Sequence, residues 1–229
     1  MKKNLNTVLI LFSAIFAALL LIREARAQQS TPQFLVTWRA NSYVPADYRG
    51  KIMPTTNSLI NVSFELLVGG KPADISKQTV YWYLNDDLLA GGAGMQSIGF
   101  VPNGITDTAS IRIQIPNYAT NLLVDNIDIP LVSPEAVIYS PYPNGSFSGN
   151  SLQVSAIPYF FNTTTPSSLN YSWTVNDQSP TNLEDPSKLT VNLNPSTPPG
   201  SEFDVGLSIN GTRNSSEAAS ANEILTFGR

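Results

Sequence analysis

The sequence contains no cysteine and no histidine. Without cysteine it can form no disulfide, thiolate nucleophile or cysteine metal site. Without histidine it lacks the commonest general base, metal ligand and proton switch near neutral pH. A serine–histidine–aspartate triad is therefore excluded, and we expect a protein that is not an enzyme and needs no cofactor.

Charged side chains are also scarce, at 13% of the sequence, and acidic residues outnumber basic ones by 17 to 13. This balance argues against nucleic acid or anionic lipid as a partner, because neither is attracted to net negative charge. A glycosidase or peptidase would need two facing carboxylates in a cleft. The acidic pairs available for it lie in predicted turns: Asp86–Asp87, Asp125 with Asp128, and Glu184–Asp185.

Oxygen atoms are the ligands this chain can offer to a metal, and such ligands suit Ca²⁺. The Asp-x-Asp-x-Asp-Gly loop typical of calcium sites is missing from the sequence. Near Ser133, between the two halves of the chain, the available carboxylates are mainly those of Asp128 and Glu135. We expect no bound metal, with Ca²⁺ as the ion to test for.

The first 27 residues differ from the rest of the chain. Lys2 and Lys3 give a positive start, an uninterrupted run of small and apolar residues covers 8–22, and Ala25 and Ala27 form a small-x-small pattern. This order predicts a signal peptide cleaved after Ala27. The alternative is an uncleaved membrane anchor, with the body on the outer side. Both predict an exported body that is extracellular, on the cell surface or periplasmic, with no other membrane contact.

Two distant stretches of the chain read almost alike. Each has a tryptophan among alternating apolar residues, followed by an Asn-Asp pair, at residues 82–86 and at residues 173–177. Each is followed by a second alternating run, at 111–115 in the first copy and at 205–209 in the second. A repeated unit of this length with a buried strand tryptophan is typical of tandem β-sandwich domains.

The body of the chain alternates apolar and polar residues and has no sustained helical periodicity, which predicts an all-β protein. We predict an N-terminal signal or anchor helix over residues 1–27, an immunoglobulin-like β-sandwich over 28–133, and a second over 134–229. Pro158 falls within a long predicted strand and is expected at a bulge or a sheet edge. The residues predicted to form the structural core are Trp82, Trp173, Tyr171, Val205, Leu207, Ile111 and Ile113.

On its central strand the second half has Tyr171, Trp173 and Asp177 at the spacing Tyr-x-Trp-x-x-x-Asp. It thereby resembles the polycystic-kidney-disease (PKD) type of immunoglobulin-like domain, which is common on bacterial and archaeal surfaces. The family's Phe-Gly is replaced here by Val175 and Asn176. A later family strand is matched at Phe203, Val205, Leu207 and Ile209 but not at Gly211.

The first half is less similar to that family, keeping Trp82, Leu84, Asp86 and the isoleucine run. The resemblance implies a fold and no activity. We expect a non-enzymatic spacer, scaffold or adhesion element, and one form of this role is a component of an envelope appendage. Its expected partner is another envelope protein or a surface polymer. The alternative is a carbohydrate-binding module that stacks exposed aromatic rings on sugars. Its candidate residues are Tyr81, Tyr83, Tyr142, Tyr159 and Phe160.

Overall fold

A computed structural model describes residues 31–212 and 217–228 of the chain. The predicted signal peptide or anchor helix, residues 1–27, lies outside the described residues. Among the residues that are described, no helix is long and apolar enough to cross a membrane.

The first half of the described chain forms eight strands in two four-stranded sheets. In one sheet β2 lies between β1 and β3 and also pairs with β6, and the other sheet has the order β5-β4-β7-β8. The bounds are β1 Gln33–Ala40, β2 Ile60–Val68, β3 Lys71–Pro72, β4 Thr79–Leu84, β5 Asp87–Ala93, β6 Ser97–Phe100, β7 Thr108–Tyr118 and β8 Asn121–Pro130.

The second half forms seven strands and one short 3₁₀ turn, Pro166–Ser168. Its sheets have the orders β13-β11-β9 and β10-β15-β14-β12, and β10 pairs with β15 in parallel. The bounds are β9 Glu135–Tyr139, β10 Ser146–Phe147, β11 Ser151–Tyr159, β12 Leu169–Val175, β13 Lys188–Asn192, β14 Glu202–Gly211 and β15 Ala218–Phe227.

Both halves distribute their strands between the two sheets as immunoglobulin domains do. In such domains strands A, B and E share one sheet and strands C, F and G share the other. The first half matches this arrangement with β1, β2 and β6 against β4, β7 and β8, and the second with β9, β11 and β13 against β12, β14 and β15. We call the two halves the first and the second sandwich.

Each sheet of the described chain takes its strands from one side of residue 133. The domain limits 28–133 and 134–229 themselves stay a prediction. By compactness, residues 31–35 and 65–74 form one unit, and the remaining described residues form another. The geometry analysed below lies within this second unit.

The core of the second sandwich is built from both of its sheets. Leu152 and Leu189 of one sheet pack with Trp173, Leu207 and Leu225 of the other, and all five side chains are buried. In the first sandwich Trp82 is fully buried, and its ring centre lies 5.6 Å from that of Phe64. Burying a side chain of this size against both layers stabilises each sandwich by several kcal/mol, on the order of 3–5.

Two details of the strands show how the sequence pattern is used. Pro158 pairs with Ala136 of β9, whereas β13 pairs only with residues 151–155, so Pro158 has no strand on its other side. A proline fits there because no ladder hydrogen bond is lost. β15 begins at Ala218, well before its apolar residues Ile224 and Leu225. Its first residues are small or polar and pair with β14.

Candidate functional site

Both strand tryptophans have the same surroundings. The indole Nε1 of Trp82 donates a hydrogen bond of 2.9 Å to the carbonyl oxygen of Met95. The indole Nε1 of Trp173 donates one of 2.9 Å to the carbonyl oxygen of Pro186. Buried tryptophan needs such a partner for its one polar atom. With the ring buried and the N–H satisfied, neither tryptophan offers a surface to a ligand.

The Asn-Asp pairs that follow these tryptophans form equivalent turns. Asn85 and Asp86 have φ of 48° and 73°, and Asn176 and Asp177 have φ of 47° and 65°. Two successive residues with positive φ are typical of the type I′ turn, for which Asn and Asp are favoured.

The two asparagine side chains also make the same contact with the neighbouring strand. Asn85 Oδ1 accepts a hydrogen bond of 3.0 Å from the backbone N–H of Ser110. Asn176 Oδ1 accepts one of 2.8 Å from the backbone N–H of Asp204. In each sandwich the asparagine therefore both shapes the turn and ties β4 or β12 to the next strand of its sheet.

The predicted core residues are mostly deep in the sandwiches. Tyr171 is half-buried, packs against the core of the second sandwich, and donates a hydrogen bond of 2.9 Å from its hydroxyl group to Pro166 O. Burial, and to a smaller extent Tyr43 and Asp185, raises the pKa of Tyr171 to about 12. The other six are buried: Trp82, Trp173, Val205, Leu207, Ile111 and Ile113.

The outer faces of the two central strands differ. In the first sandwich Tyr81 and Tyr83 of β4 lie opposite Gln114 and Arg112 of β7. The corresponding pairs of the second sandwich are Ser172 with Ser208 and Thr174 with Gly206. At these paired positions the first sandwich carries aromatic and charged side chains and the second does not, so the first is the better candidate for a binding surface.

On this face the two tyrosines are not equally free. The Arg112 guanidinium lies 4.4 Å from the ring centre of Tyr83 and pairs with the Asp86 carboxylate. Tyr81 instead lies over Gly91, where a side chain would collide with the ring because its Cβ would be 2.5 Å from Tyr81 Cδ1. The Arg112 guanidinium covers the ring of Tyr83, so of these two rings that of Tyr81 is the one on which a ligand could stack.

The other predicted aromatics do not extend this platform into a row. Tyr142 OH accepts a hydrogen bond from Gln153 N, and its ring packs 5.5 Å from that of Phe147. Tyr159 packs against Tyr48, with 5.9 Å between ring centres. Phe160 is buried, so the expectation that it is exposed is wrong. The sequence could not distinguish these rings because aromatic residues suit both cores and surfaces.

The acidic residues considered for catalysis or metal binding are engaged in local contacts. Asp128 Oδ1 accepts a hydrogen bond of 2.7 Å from Ser110 Oγ. Hydrogen bonds from Ser187 and Lys188 lower the pKa of Asp185. Within residues 31–212 and 217–228, no group of three or more acidic residues could hold a metal ion. The expectations of no bound metal, with Ca²⁺ as the ion to test for, and of no enzymatic activity stay predictions.

The sequence did not reveal a junction between the two sandwiches, formed by residues 41–59. Tyr43 N donates to Phe161 O at 2.8 Å, and Phe160 N donates to Tyr43 O at 2.6 Å. Asn162 Nδ2 donates to Asn57 O at 2.7 Å. These bonds connect the segment between β1 and β2 to the residues that follow β11.

A buried polar cluster completes this junction. Thr55 Oγ1 lies 2.9 Å from Ser58 Oγ, and Ser58 Oγ lies 2.7 Å from Ser42 Oγ. The Glu217 carboxylate accepts from Thr55 Oγ1 at 3.4 Å and from Asn162 N at 3.2 Å. Small polar residues in a stretch interrupted by Pro45 and Pro54 show no periodicity. Their contact with one another could therefore not be predicted from the sequence.

No protein-family model matches the chain, and no curated protein matches it either. Among solved structures it is similar to the fibronectin(III)-like modules of Clostridium thermocellum CbhA, with 11% identity, a TM-score of 0.30, and coverage of 85% of this chain and 93% of that one. It is also similar to three N-terminal domains of the bacteriophage RB49 Highly Immunogenic Outer Capsid protein, with 14% identity, a TM-score of 0.43, and coverage of 85% and 59%.

These superpositions are loose, so the assignment of the fold depends on the strand order and the core. On those grounds the described chain is an all-β protein with tandem immunoglobulin-like β-sandwiches.

Proposed function

We propose that the chain is a non-enzymatic exported module that acts as a structural spacer or scaffold outside the cytoplasm, and that its second sandwich is of the PKD type. The observation that supports this proposal is the junction between the sandwiches. Interfaces between domains of one chain normally allow relative motion unless they are large. Here directional hydrogen bonds from both backbone and side chains oppose that motion.

The junction suits a spacer for a physical reason. Tyr43 exchanges two backbone hydrogen bonds with the adjacent residues Phe160 and Phe161. Tyr48 then packs edge-on against Tyr159 and Phe160 at 5.9 and 5.8 Å. Each contact has one favourable geometry, so their combination holds one arrangement of the sandwiches rather than a range.

The fixed spacing can be tested with spin labels, because the chain has no cysteine of its own. We would place one label at Asn126→Cys in β8 and one at Ser220→Cys in β15, and measure the distance distribution between them. A spacer gives one narrow distribution, which the pair Tyr48→Ala and Asn162→Ala broadens. Asn61→Ala, which removes an exposed asparagine of β2, is the control and leaves it unchanged. A broad distribution in the unmodified chain contradicts the proposal.

Export is tested separately by mass spectrometry of the protein collected outside the cytoplasm. Cleavage after Ala27 gives Gln28 as the first residue. Retention of residues 1–27 on a membrane-bound product gives the anchored form instead. Recovery of the full-length chain only from the cytoplasm would contradict both forms and the proposed location.

A second candidate function is carbohydrate binding at Tyr81. It is supported by the position of this ring over Gly91 with Gln114 beside it on β7, which provides an aromatic platform and an amide. Neutral oligosaccharides are screened against the unmodified chain and against Tyr81→Ala, with Tyr83→Ala as the matched control. Binding lost with Tyr81→Ala alone supports this function, and binding by neither the chain nor the control excludes it.

A further inference from the structure

A shallow trough crosses the outer face of the sheet formed by β1, β2 and β6. It consists of two adjoining hollows of about 470 and 420 Å³, which share Trp38, Arg39 and Asn61. The first hollow extends across β2 to Ser97 and Gly99 of β6, and the second extends to Lys51 and Ile52. Three neighbouring strands span about 10 Å, so a ligand in the trough would lie across the strands.

The part of the trough between β1, β2 and β6, which we call its floor, carries hydroxyl and amide groups. Thr37 Oγ1 and Ser63 Oγ lie 3.0 Å apart on neighbouring strands. At Gly99 a Cβ would lie 3.0 Å from Asn61 Oδ1, so any larger residue would crowd the floor. The hydroxyl and amide groups along this floor can donate and accept hydrogen bonds.

Two cationic side chains, Arg39 and Lys51, line the second hollow of the trough. The Lys51 ammonium lies 3.3 Å from the centre of the Trp38 ring, and Arg39 lines the same hollow. Neither has an ion-pair partner within residues 31–212 and 217–228. No acidic residue lines either hollow, although acidic residues outnumber basic ones in the chain.

This arrangement favours an anion. An anion in the hollow that both side chains line would be attracted by each positive charge, and neither charge is neutralised by a counterion among the described residues. The planar guanidinium of Arg39 matches a carboxylate through two parallel hydrogen bonds. Trp38 acts as a positioning residue that holds the Lys51 ammonium by a cation–π contact.

The net negative charge of the chain does not prevent such binding. At physiological salt the Debye length is about 8 Å, so distant surface carboxylates are largely screened from the trough. Cations in contact with the ligand are screened less. The trough is also open and long rather than enclosed, unlike the deep apolar pockets typical of small-molecule sites.

We propose that the trough binds an acidic polysaccharide, a chain of sugars whose carboxylate contacts Arg39 and Lys51 and whose hydroxyl groups contact the polar floor. This site is separate from the Tyr81 platform. It goes beyond the proposed spacer role, and its failure would leave that role unaffected, because the two are tested by different measurements.

The test is a calorimetric titration of the exported chain with oligogalacturonate, a carboxylate-bearing oligosaccharide. We expect saturable binding that Arg39→Gln and Lys51→Gln each weaken about tenfold or more, the loss expected for one charge-assisted hydrogen bond. Oligogalacturonate and its methyl ester, which has lost its charge, are also titrated into Tyr81→Ala, in which the platform considered for neutral sugars is removed. The methyl ester is expected not to bind to this variant.

Lys77→Gln is the matched control, since it removes one exposed positive charge outside the trough. It is expected to change the affinity less than twofold. Three results overturn the proposal: no binding of oligogalacturonate, an equal loss with Lys77→Gln, or equal binding of the methyl ester by Tyr81→Ala. Inorganic polyphosphate that binds where oligogalacturonate does not also overturns it, because the site would then recognise phosphate rather than a sugar carboxylate.

Discussion

The central strands of the two sandwiches share their inner face and differ on their outer face. Inside, Trp82 faces Ile113 across the first sheet, and Trp173 faces Leu207 across the second. Outside, the first sandwich has tyrosine and arginine where the second has serine, threonine and glycine. The inner face is constrained by packing, because a core must be filled at a fixed density.

The outer face is free of that constraint, so its residues can differ between two sandwiches that share the same fold. In the second sandwich Gly206 lets Thr174 lie across it, since a Cβ there would come within about 2.4 Å of Thr174 Oγ1. At these positions that face carries small, uncharged residues. The first sandwich by contrast presents Tyr81, the Tyr83–Arg112 pair and the trough, and it is the half on which we place recognition.

Removing the buried tryptophans of the inner faces is expected to change the free energy of unfolding the most. Trp82→Ala and Trp173→Ala are each expected to lower the free energy of unfolding by about 3–5 kcal/mol, because each leaves a cavity and an unpaired carbonyl group. Denaturant titrations followed by circular dichroism measure this. Trp38→Ala, at a half-buried edge position, is the control and should cost much less. An equal loss for all three would contradict the assignment of two indole-centred cores.

The turn asparagines provide the next largest effect. Asn85→Ala and Asn176→Ala are each expected to cost about 2 kcal/mol, roughly half from placing alanine at positive φ and half from the lost side-chain hydrogen bond. Glycine at the same positions tolerates positive φ and should cost about 1 kcal/mol. Urea titrations of the four variants test this. The comparison fails if the two alanine variants differ by more than about 1 kcal/mol.

The second sandwich has Tyr171 two places before its tryptophan, where the first sandwich has Val80. The stability of the second sandwich should therefore depend on alkaline pH through this residue. Folding raises the pKa of Tyr171 from 10.0 to about 12. The protonated hydroxyl group therefore contributes its full stabilisation below pH 10, and this stabilisation is lost as the pH rises through 12. At neutral pH Tyr171→Phe should cost about 1 kcal/mol, one hydrogen bond.

The measurement for Tyr171 is the unfolding free energy of both proteins between pH 8 and 11.5, a range that spans its ordinary pKa of 10.0. The unmodified chain should lose stability over the upper part of this range more steeply than Tyr171→Phe. Parallel curves would show that Tyr171 does not carry the alkaline sensitivity of the second sandwich.

The smallest change in the free energy of unfolding is expected on the outer face of the first sandwich. Tyr83→Leu keeps an apolar cover over the sheet but removes the cation–π contact with Arg112, and should cost about 0.5–1 kcal/mol. A double-mutant cycle with Arg112→Gln isolates the pair energy. Thr174→Leu in the second sandwich, which has no arginine opposite it, is the control. A coupling energy near zero would show that Arg112 is held by Asp86 alone.

Much of the fold could be predicted because the strands that form the cores are regular. On β7 and β14 buried and less buried residues alternate over most of their length. The tryptophans and the Asn-Asp turns then mark the same point in each copy. The two-residue strands β3 and β10 and the early part of β15 could not be predicted, because they depend on partners distant in sequence.

The surface could be predicted much less well, since nothing in a short motif reports what lies opposite a side chain. Tyr81 and Tyr83 were proposed together, but only the fold shows that Arg112 covers one of them. Arg39 and Lys51 are separated by a stretch broken by Pro45 and Gly50, and the sequence showed no basic patch. Their proximity results from the path of residues 41–59 back across β1.

The last strand of each sandwich carries an acidic residue on its inward side. Asp125 of β8 lies opposite the buried Ile113, and Glu223 of β15 lies opposite the buried Val205. If another molecule docked its own strand alongside, it would trap that carboxylate away from water, which discourages edge-to-edge polymerisation. Burial raises the pKa of Glu223, so mild acid neutralises it sooner than an ordinary glutamate. Beside Glu223 the edge of β15 is not covered by β10, which pairs only with Thr226 and Phe227. Acidification and Glu223→Gln should therefore both increase self-association through this edge, as light scattering would show.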